Sequence, residues 1–347
     1  MDHKARTADL SKIFQDHDDQ GSHVGRRLNR MVNTAERSET PPIPRQIQIE
    51  TTNICNHACD FCAYPDMVRP KTVMKPELFR RLVKEAYDLG SREIGLFAGA
   101  EPLTCKSLEE FIAYCKDVGY EYMYISTNGA LATPDRFKRL LDAGLSSIKF
   151  SINAGTARTY ARVHGKDDFE KVLANVRYVS EYRKTLGRSV YLGVSFVGTR
   201  ATTPEFETLK SLVSPHVDEI IFYEANNQSG QKEDLPLPPF RDCVLPFNKL
   251  HISAEGYIKA CCNDYDNLLA IEDLNRTGIR DAWLGERFRE LRRRHLADEL
   301  DGTLCGKCVR NSPRPAAALN PELLSQPVRI HIVKRMHGKP EADPISR

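Results

Sequence analysis

Between Gln46 and Asn226 the chain alternates between short strand patterns and helical patterns, and no other feature constrains its fold as strongly. The segment QIQIETT puts Ile47 and Ile49 on one side, as a half-buried strand requires. From Pro76-Glu77 onward, Leu78, Phe79, Leu82, Val83 and Ala86 recur at helical spacing. EIGLFA, YEYMYIST, SSIKFSIN, SVYLGVSFVG and VDEIIFYEAN then read as strands. The intervening SLEEFIAYCKDVG, TPDRFKRLLDAG, DFEKVLANVRYVSEYRKTLG and TPEFETLKSLVS read as helices, the second of them with Thr133 as cap and Pro134 in its first turn. Strands separated by helices build a parallel sheet, because a parallel pair needs a long crossover. Six such units starting together predict an α/β fold, a partial (β/α)6 barrel of the TIM type, with its chemistry at the carboxyl ends of the strands.

The flanks differ from this core. Residues 1–44 are polar and read as a loosely docked N-terminal arm, in which Val24, Leu28 and Met31 of HVGRRLNRMV share a helical face. After Asn226 the rhythm stops at NQSGQKEDLPLPPF, a linker by composition. FNKLHISAEGYIKACC then reads as two short strands around an Ala-Glu-Gly turn, and IRDAWLGERFRELRRRHL as one amphipathic helix. The expected division is an arm (1–44), a barrel (45–226), a small β-hairpin-plus-helix domain (227–311) and a tail (312–347). The small domain is too short to bury much core unaided. A formal net charge of +3 leaves no electrostatic footprint for nucleic acid or an acidic membrane, and Arg292-Arg293-Arg294 reads as a solvated helix face. With neither an export signal nor a long apolar run at hand, a soluble cytoplasmic protein is expected.

In that compartment ten cysteines point to metal ligation or catalysis rather than to disulfides. Cys55, Cys59 and Cys62 form a CxxxCxxC group directly after the first strand. Three thiolates on one loop can hold three irons of a 4Fe-4S cluster and leave the fourth open. Structural zinc is the rival, but it normally takes four protein ligands, and His57 inside the loop would crowd the sulfurs. With Phe61 before the last cysteine, the group resembles the CxxxCx(aromatic)C signature of the radical S-adenosylmethionine (SAM) superfamily. That resemblance implies SAM chelated by the open iron. Ala98-Gly99-Ala100-Glu101-Pro102 is similar to the family's GGEP segment, Ser126-Thr127-Asn128-Gly129 to its TNG segment, and Ser151-Ile152-Asn153 and Ser195 stand where polar side chains meet SAM. Phe61, Tyr64, Gly99, Ala100, Glu101, Pro102, Ser126, Asn128, Ser151, Asn153 and Ser195 are thereby the implied cofactor contacts. The stretch from Arg162 to Phe169 resembles a recurrent segment of peptide- and sugar-acting members, and equally reads as a helix entry capped by Asp167.

Cys243, Cys261, Cys305 and Cys308 form a second group, for which zinc stays the rival on spacing alone. Their order and surroundings resemble the twitch domain, the short form of the SPASM auxiliary-cluster domain, which implies a second, fully ligated 4Fe-4S cluster. Full SPASM domains carry about seven cysteines, and the molybdopterin-precursor enzymes leave their auxiliary cluster open with three. Four cysteines look most like the aminocyclitol- and sugar-acting dehydrogenases and epimerases. On strand alternation, Cys262 and Asp264 face away from Cys261 toward the barrel mouth, as candidate hydrogen donor and base. Cys115 reads as core and Cys105 as an edge of the pocket. The resemblance implies a radical SAM oxidoreductase that abstracts hydrogen from the carbinol carbon of a sugar, aminocyclitol or nucleoside and yields a ketone. It would be served by an external one-electron reductant of flavodoxin or ferredoxin type. Epimerisation through Cys262, peptide modification and a zinc-binding scaffold are the alternatives; for peptide modification, the 44 residues before the first strand look too few for a leader-binding domain.

Overall fold

The computed structural model describes residues 22–232, 234–237 and 243–324; the first part of the expected arm, part of the linker and the end of the expected tail lie outside them. Helix α1 (His23–Asn33) precedes six strands, β1 (Gln46–Ile49), β2 (Glu93–Gly95), β3 (Tyr122–Thr127), β4 (Ser147–Ser151), β5 (Tyr191–Gly198) and β6 (Glu219–Glu224). Each pairs in parallel with the next. The crossovers carry α2 (Pro76–Asp88), α3 (Leu108–Val118), α4 (Pro134–Asp142), the pair α5 (Ala157–His164) and α6 (Phe169–Arg183), and α7 (Phe206–Val213). Thr133 caps α4, its hydroxyl accepting from Arg136 N–H, and Pro134 opens the helix. Ile47, Ile49, Ile94, Ile125, Ile148, Phe150, Leu192 and Val194 are fully buried, packed with Phe79, Leu82, Phe111 and Phe137 from the helices. The alternate strand positions, among them Gln48, Tyr124, Ser126, Lys149 and Ser151, face the inside of the curved sheet.

The described part of the N-terminal segment, from Ser22 onward, differs from a loosely docked arm. Helix α1 closes the end of the barrel opposite the cysteine loop, where β2, β3, β5 and β6 begin. Arg27 Nη2 lies 2.8 Å from Glu93 Oε2, and its guanidinium stands 4.2 Å and 4.4 Å from the ring centroids of Tyr122 and Tyr124. His23 stacks on Tyr191 at 4.2 Å, and Ser22 donates to Glu219. Met31 is buried, while the Leu28 side chain lies outside the described residues.

The C-terminal region consists of α8 (Leu245–Asn248), β7 (Leu250–Ile252), β8 (Tyr257–Lys259), β9 (Ala270–Asp273), α9 (Ile279–Leu284), α10 (Glu286–Leu296) and α11 (Leu304–Arg310). Its shortage of core is solved by sharing. Strand β7 pairs in parallel with β1, Ile47 opposite Leu250 and Ile49 opposite Ile252, so one sheet of nine strands runs β6-β5-β4-β3-β2-β1-β7-β8-β9. The expected hairpin is β7–β8, and β9 adds a third strand that the sequence pattern did not suggest.

The single expected helix is two, separated at Gly285, where a Cβ would come within 2.6 Å of the Asp281 carbonyl oxygen. The break folds Trp283 back toward α10, and Arg292, expected in solvent, is fully buried. Its guanidinium lies 4.1 Å from the Trp283 ring and 4.0 Å from Phe288, and Nε and Nη1 donate to the carbonyls of Pro246, Glu39 and Trp283. Burial brings its pKa down to about 9. Arg293 stays at the surface, paired with Glu39, Glu286 and Glu290.

Candidate functional site

The loop after β1 carries Cys55, Cys59 and Cys62, and its shape is imposed by what surrounds it. Asn53 anchors its start, accepting from Thr72 N–H at 2.6 Å and donating to the Pro70 carbonyl at 2.8 Å. The Cys55 N–H donates to the Tyr64 hydroxyl at 2.7 Å, so Tyr64 braces the loop. The Ala58 and Asp60 N–H groups donate to the carbonyls of His164 and Val163, which lays the loop against the end of α5.

Within that contact, His57 keeps a ring nitrogen within 4.8 Å of Cys59 Sγ and is held there by two partners. Its Nδ1 lies 3.3 Å from His164 Nδ1 and its Nε2 3.2 Å from Asp168 Oδ2. Asp168, not Asp167, occupies the cap position of α6, and its side chain makes no cap hydrogen bond, serving His57 instead. His164 Nε2 faces the Ile152 carbonyl at 2.7 Å, which makes that nitrogen the donor and leaves Nδ1 facing Cys59 Sγ at 3.4 Å. The Arg162–Phe169 stretch is therefore a shell around Cys59 as well as a helix junction. Burial lowers the pKa of both imidazoles, that of His164 to about 4.

Four more strand ends complete a cavity of about 200 Å³. Its walls include the three cysteines, Phe61, Tyr64, Gly99, Ala100, Glu101, Ser126, Asn128, Ser151 and Asn153. Glu101 acts through its carboxylate as a tie, accepting from the Thr127 hydroxyl at 2.6 Å, Asn128 N–H at 2.7 Å and Leu103 N–H at 3.0 Å. Burial nonetheless pushes its pKa up to about 7. Asn128 and Asn153 are partly spent on structure: Asn128 accepts from Ala130 N–H and donates to Asn56, while Asn153, at φ 58°, accepts from Val197 N–H. Ser126, Ser151 and Ser195 form a ladder of hydroxyls across β3, β4 and β5, spaced 3.3 Å and 3.2 Å. Two expected contacts lie off the cavity wall. Ser195 is buried behind Ser151, and Pro102 is buried as the first residue of a 3-10 turn. Cys105 is fully buried core like Cys115, not a pocket edge.

Cys243, Cys261, Cys305 and Cys308 converge as a second group: Cys243 lies within electrostatic reach of Cys308, and Cys261 and Cys305 of Cys243. The positions of Cys262 and Asp264 differ from expectation, because β8 ends at Lys259 and strand alternation no longer applies beyond it. The Cys262 thiol donates to Asn263 Oδ1 at 3.9 Å and lies within electrostatic reach of Cys261. Asp264 is fully buried, its two oxygens accepting from the N–H groups of Leu268 at 2.9 Å and Leu269 at 2.8 Å. It shapes the turn and presents no base to the barrel mouth.

The turn positions a residue that the sequence reading missed. Tyr265 projects from the second cysteine group into the cavity of the first, its hydroxyl 3.4 Å from Cys62 Sγ. Its ring fills the space a side chain at Gly99 would need, 2.6 Å from the position of such a Cβ. Arg69 was also missed. It bonds Glu50 at 2.6 Å and Glu255 at 2.9 Å, tying the end of the cysteine loop to the β7–β8 turn. No sequence signal marks the Tyr265–Cys62 contact or the Arg69–Glu255 pair, whose partners lie 203 and 186 positions apart, although Glu50 is only 19 positions from Arg69.

Sulfur spacing tests zinc against a cluster. A single zinc would draw its sulfurs to about 3.8 Å from one another, given Zn–S bonds of about 2.3 Å. Among the described residues the trio with ligand atoms all within 4.8 Å is His57, Cys59 and His164; neither cysteine group has three sulfurs so close. The wider spacing and all-thiol donor sets suit iron–sulfur clusters. Burial pushes the Cys55 and Cys243 thiols up to about 12, a shift that cluster iron reverses by supplying positive charge.

Comparison with known proteins agrees with this division. Residues 49–196 match the radical SAM superfamily and residues 243–309 an iron-sulfur cluster-binding domain, SPASM. A probable GTP 3′,8-cyclase of Saccharolobus solfataricus is 29% identical over 285 residues, 70% of this chain and 92% of its own. An uncharacterized protein of Methanocaldococcus jannaschii is 34% identical over 145 residues, 42% of this chain but only 46% of its own. Among solved structures, BtrN in complex with AdoMet and 2-DOIA superposes with a TM-score of 0.52 at 19% identity, over 74% of this chain and 88% of that one. Streptococcus suis SuiB bound to precursor peptide SuiA superposes at 0.62 and 12% identity, over 87% and 78%. These likenesses are of fold. No helix among the described residues is long and apolar enough to cross a membrane.

Proposed function

From a chain that joins a radical SAM domain to a SPASM-type domain, and so uses SAM and two 4Fe-4S clusters, we propose an oxidoreductase that removes hydrogen from the carbinol carbon of a polar small molecule and yields a ketone. In this reading Cys55, Cys59 and Cys62 hold the SAM-binding cluster, and Cys243, Cys261, Cys305 and Cys308 the auxiliary one. When bound, SAM and the clusters would supply a 5′-deoxyadenosyl radical to take the hydrogen atom from carbon and an auxiliary acceptor for the remaining electron, with the hydroxyl proton passing to water. The chain's own residues bind and orient. Backbone groups of Gly99 and Ala100 and the hydroxyls of Ser126 and Ser151 line the space beside the cysteine loop, available to the polar ends of SAM. Phe61, Phe97 and Val197 supply the apolar side of the cavity wall. The Tyr265 hydroxyl stands against Cys62 as a donor and holds that sulfur, while the His164 ring packs against Cys59.

The observation that carries the dehydrogenase reading is the convergence of four cysteines in the C-terminal region. A fully ligated auxiliary cluster has no iron free to grip substrate and is suited to accepting an electron. Asp264 drops out as the base, its oxygens being spent on the backbone. The relatives named GTP 3′,8-cyclase favour a second reading, a cyclisation of GTP, supported by the 285-residue match to the Saccharolobus protein. Epimerisation by Cys262 is a third, since its thiol lies within electrostatic reach of the cavity residue Tyr265.

Anaerobic turnover in deuterium oxide with an external one-electron reductant separates them. The substrates are aminocyclitols, sugars, nucleosides and GTP, with 5′-deoxyadenosine and product mass followed together. Dehydrogenation gives a product two mass units lighter. Cyclisation conserves the mass of GTP, and epimerisation leaves one deuterium at carbon; either result overturns the dehydrogenase reading.

A further inference from the structure

Tyr265 is nearly inaccessible to solvent, yet it belongs to neither cysteine group. It lies four residues after Cys261, on a turn whose course is fixed at three points. Asp264 accepts from Leu268 and Leu269 N–H, Asp266 Oδ1 accepts from Val68 N–H at 2.8 Å, and Asn267 Nδ2 donates to Glu255. The turn therefore rests on the chain that follows the first cysteine loop, and Tyr265 has little freedom to move away. At its tip the hydroxyl meets Cys62 Sγ at 3.4 Å, and its ring occupies the space over Gly99. A phenol beside a cluster thiolate can only donate, because a thiolate carries no proton. Hydrogen bonds to cluster sulfurs disperse their negative charge and raise the reduction potential.

We propose that Tyr265 is a positioning residue through which the auxiliary-cluster domain sets the reduction potential of the SAM-binding cluster. The hydroxyl donates to Cys62 Sγ, and the turn that carries it is anchored beside Cys261, so the contact joins the two iron sites. The inference rests on the assignment of Cys55, Cys59 and Cys62 as cluster ligands. It does not depend on which substrate the enzyme takes.

The test is a redox titration of the full chain with both clusters loaded, monitored by electron paramagnetic resonance without SAM or substrate. The first-site signal is identified by its loss in the C55A/C59A/C62A variant. Tyr265→Phe keeps the ring over Gly99 and removes only the donor. It is expected to make the first cluster harder to reduce by about tenfold in the reduction equilibrium, about 59 mV for a one-electron couple. Gly99→Ala perturbs the same contact from the other side by displacing the ring, and should shift the potential in the same direction. A change under twofold in both variants, with the wild-type signal present, overturns the proposal. Absence of a first-site signal from the wild-type protein overturns the ligand assignment instead, and the two failures are thus distinct.

Discussion

The variant in which Cys55, Cys59 and Cys62 are all alanine is expected to form no detectable 5′-deoxyadenosine, while still folding and still binding iron. The three thiols sit on a loop whose backbone is held by other groups, Asn53 to Pro70 and Thr72, Ala58 and Asp60 to the end of α5. Removing the sulfurs therefore leaves the loop's framework in place. The auxiliary group lies in a separate part of the chain, with Cys305 and Cys308 on α11 and Cys243 and Cys261 half-buried near them. Anaerobic preparation of the wild type should give about eight irons and eight acid-labile sulfides per chain, and the triple variant about four of each. The comparison isolates the first site, because a zinc scaffold would give neither sulfide nor a fall by half. SAM cleavage that survives in the triple variant would remove the radical-generating role from this loop.

Local spacing carries the parts of this site that the sequence discloses. Six strands, the cysteine loop and the polar strand ends are each written within a few consecutive residues, so periodicity and motif are enough to find them. What the sequence conceals depends on contacts between distant segments. Arg292 looks like one member of a solvated basic run, but the break at Gly285 turns Trp283 onto it and three carbonyls accept from its Nε and Nη1. Asp264 has the spacing of a strand residue facing the mouth, yet β8 stops five residues earlier and the carboxylate closes a turn. His164 was visible as part of a recurrent stretch, though its role against Cys59 needed α5 to be seen folding over the loop. The C-terminal domain looked short of core because strand pairing across two hundred residues, β7 on β1, leaves no trace in composition.

The ion cluster at Arg69 shows how far stability and cofactor retention depend on one of these concealed contacts. Glu50 is fully buried at the end of β1, and both its oxygens meet Arg69, Nη2 at 2.6 Å and Nη1 at 2.8 Å. Burial alone would raise the Glu50 carboxyl, but Arg69 and Lys259, with the Ala254 N–H, hold it below the usual range. Arg69→Met strands that carboxylate without its main counter-charge, and the expected loss is about 3–5 kcal/mol in urea unfolding at pH 7. Pairing Arg69→Met with Glu50→Gln should recover part of it, since no charge is then left buried alone. The pH dependence follows from the depressed carboxyl. Its stabilisation is complete above the unfolded value of about 4.3 and is lost as pH falls through the lower folded value, because the unfolded chain takes up the proton first. The Met variant, with Glu50 no longer held down by Arg69, should lose least relative to wild type at acid pH, so the two stability curves converge there. Arg69 also meets Glu255, which accepts from Asn53 at the start of the cysteine loop and from Asn267 in the Tyr265 turn. Loss of iron from Arg69→Met on mild chelation, at rates unchanged in an exposed variant such as Lys84→Met, is therefore expected alongside the lost stability. A destabilisation below about 1 kcal/mol, the range of exposed ion pairs, would mean that Glu50 finds its compensation elsewhere and that the network does not hold the two iron sites together.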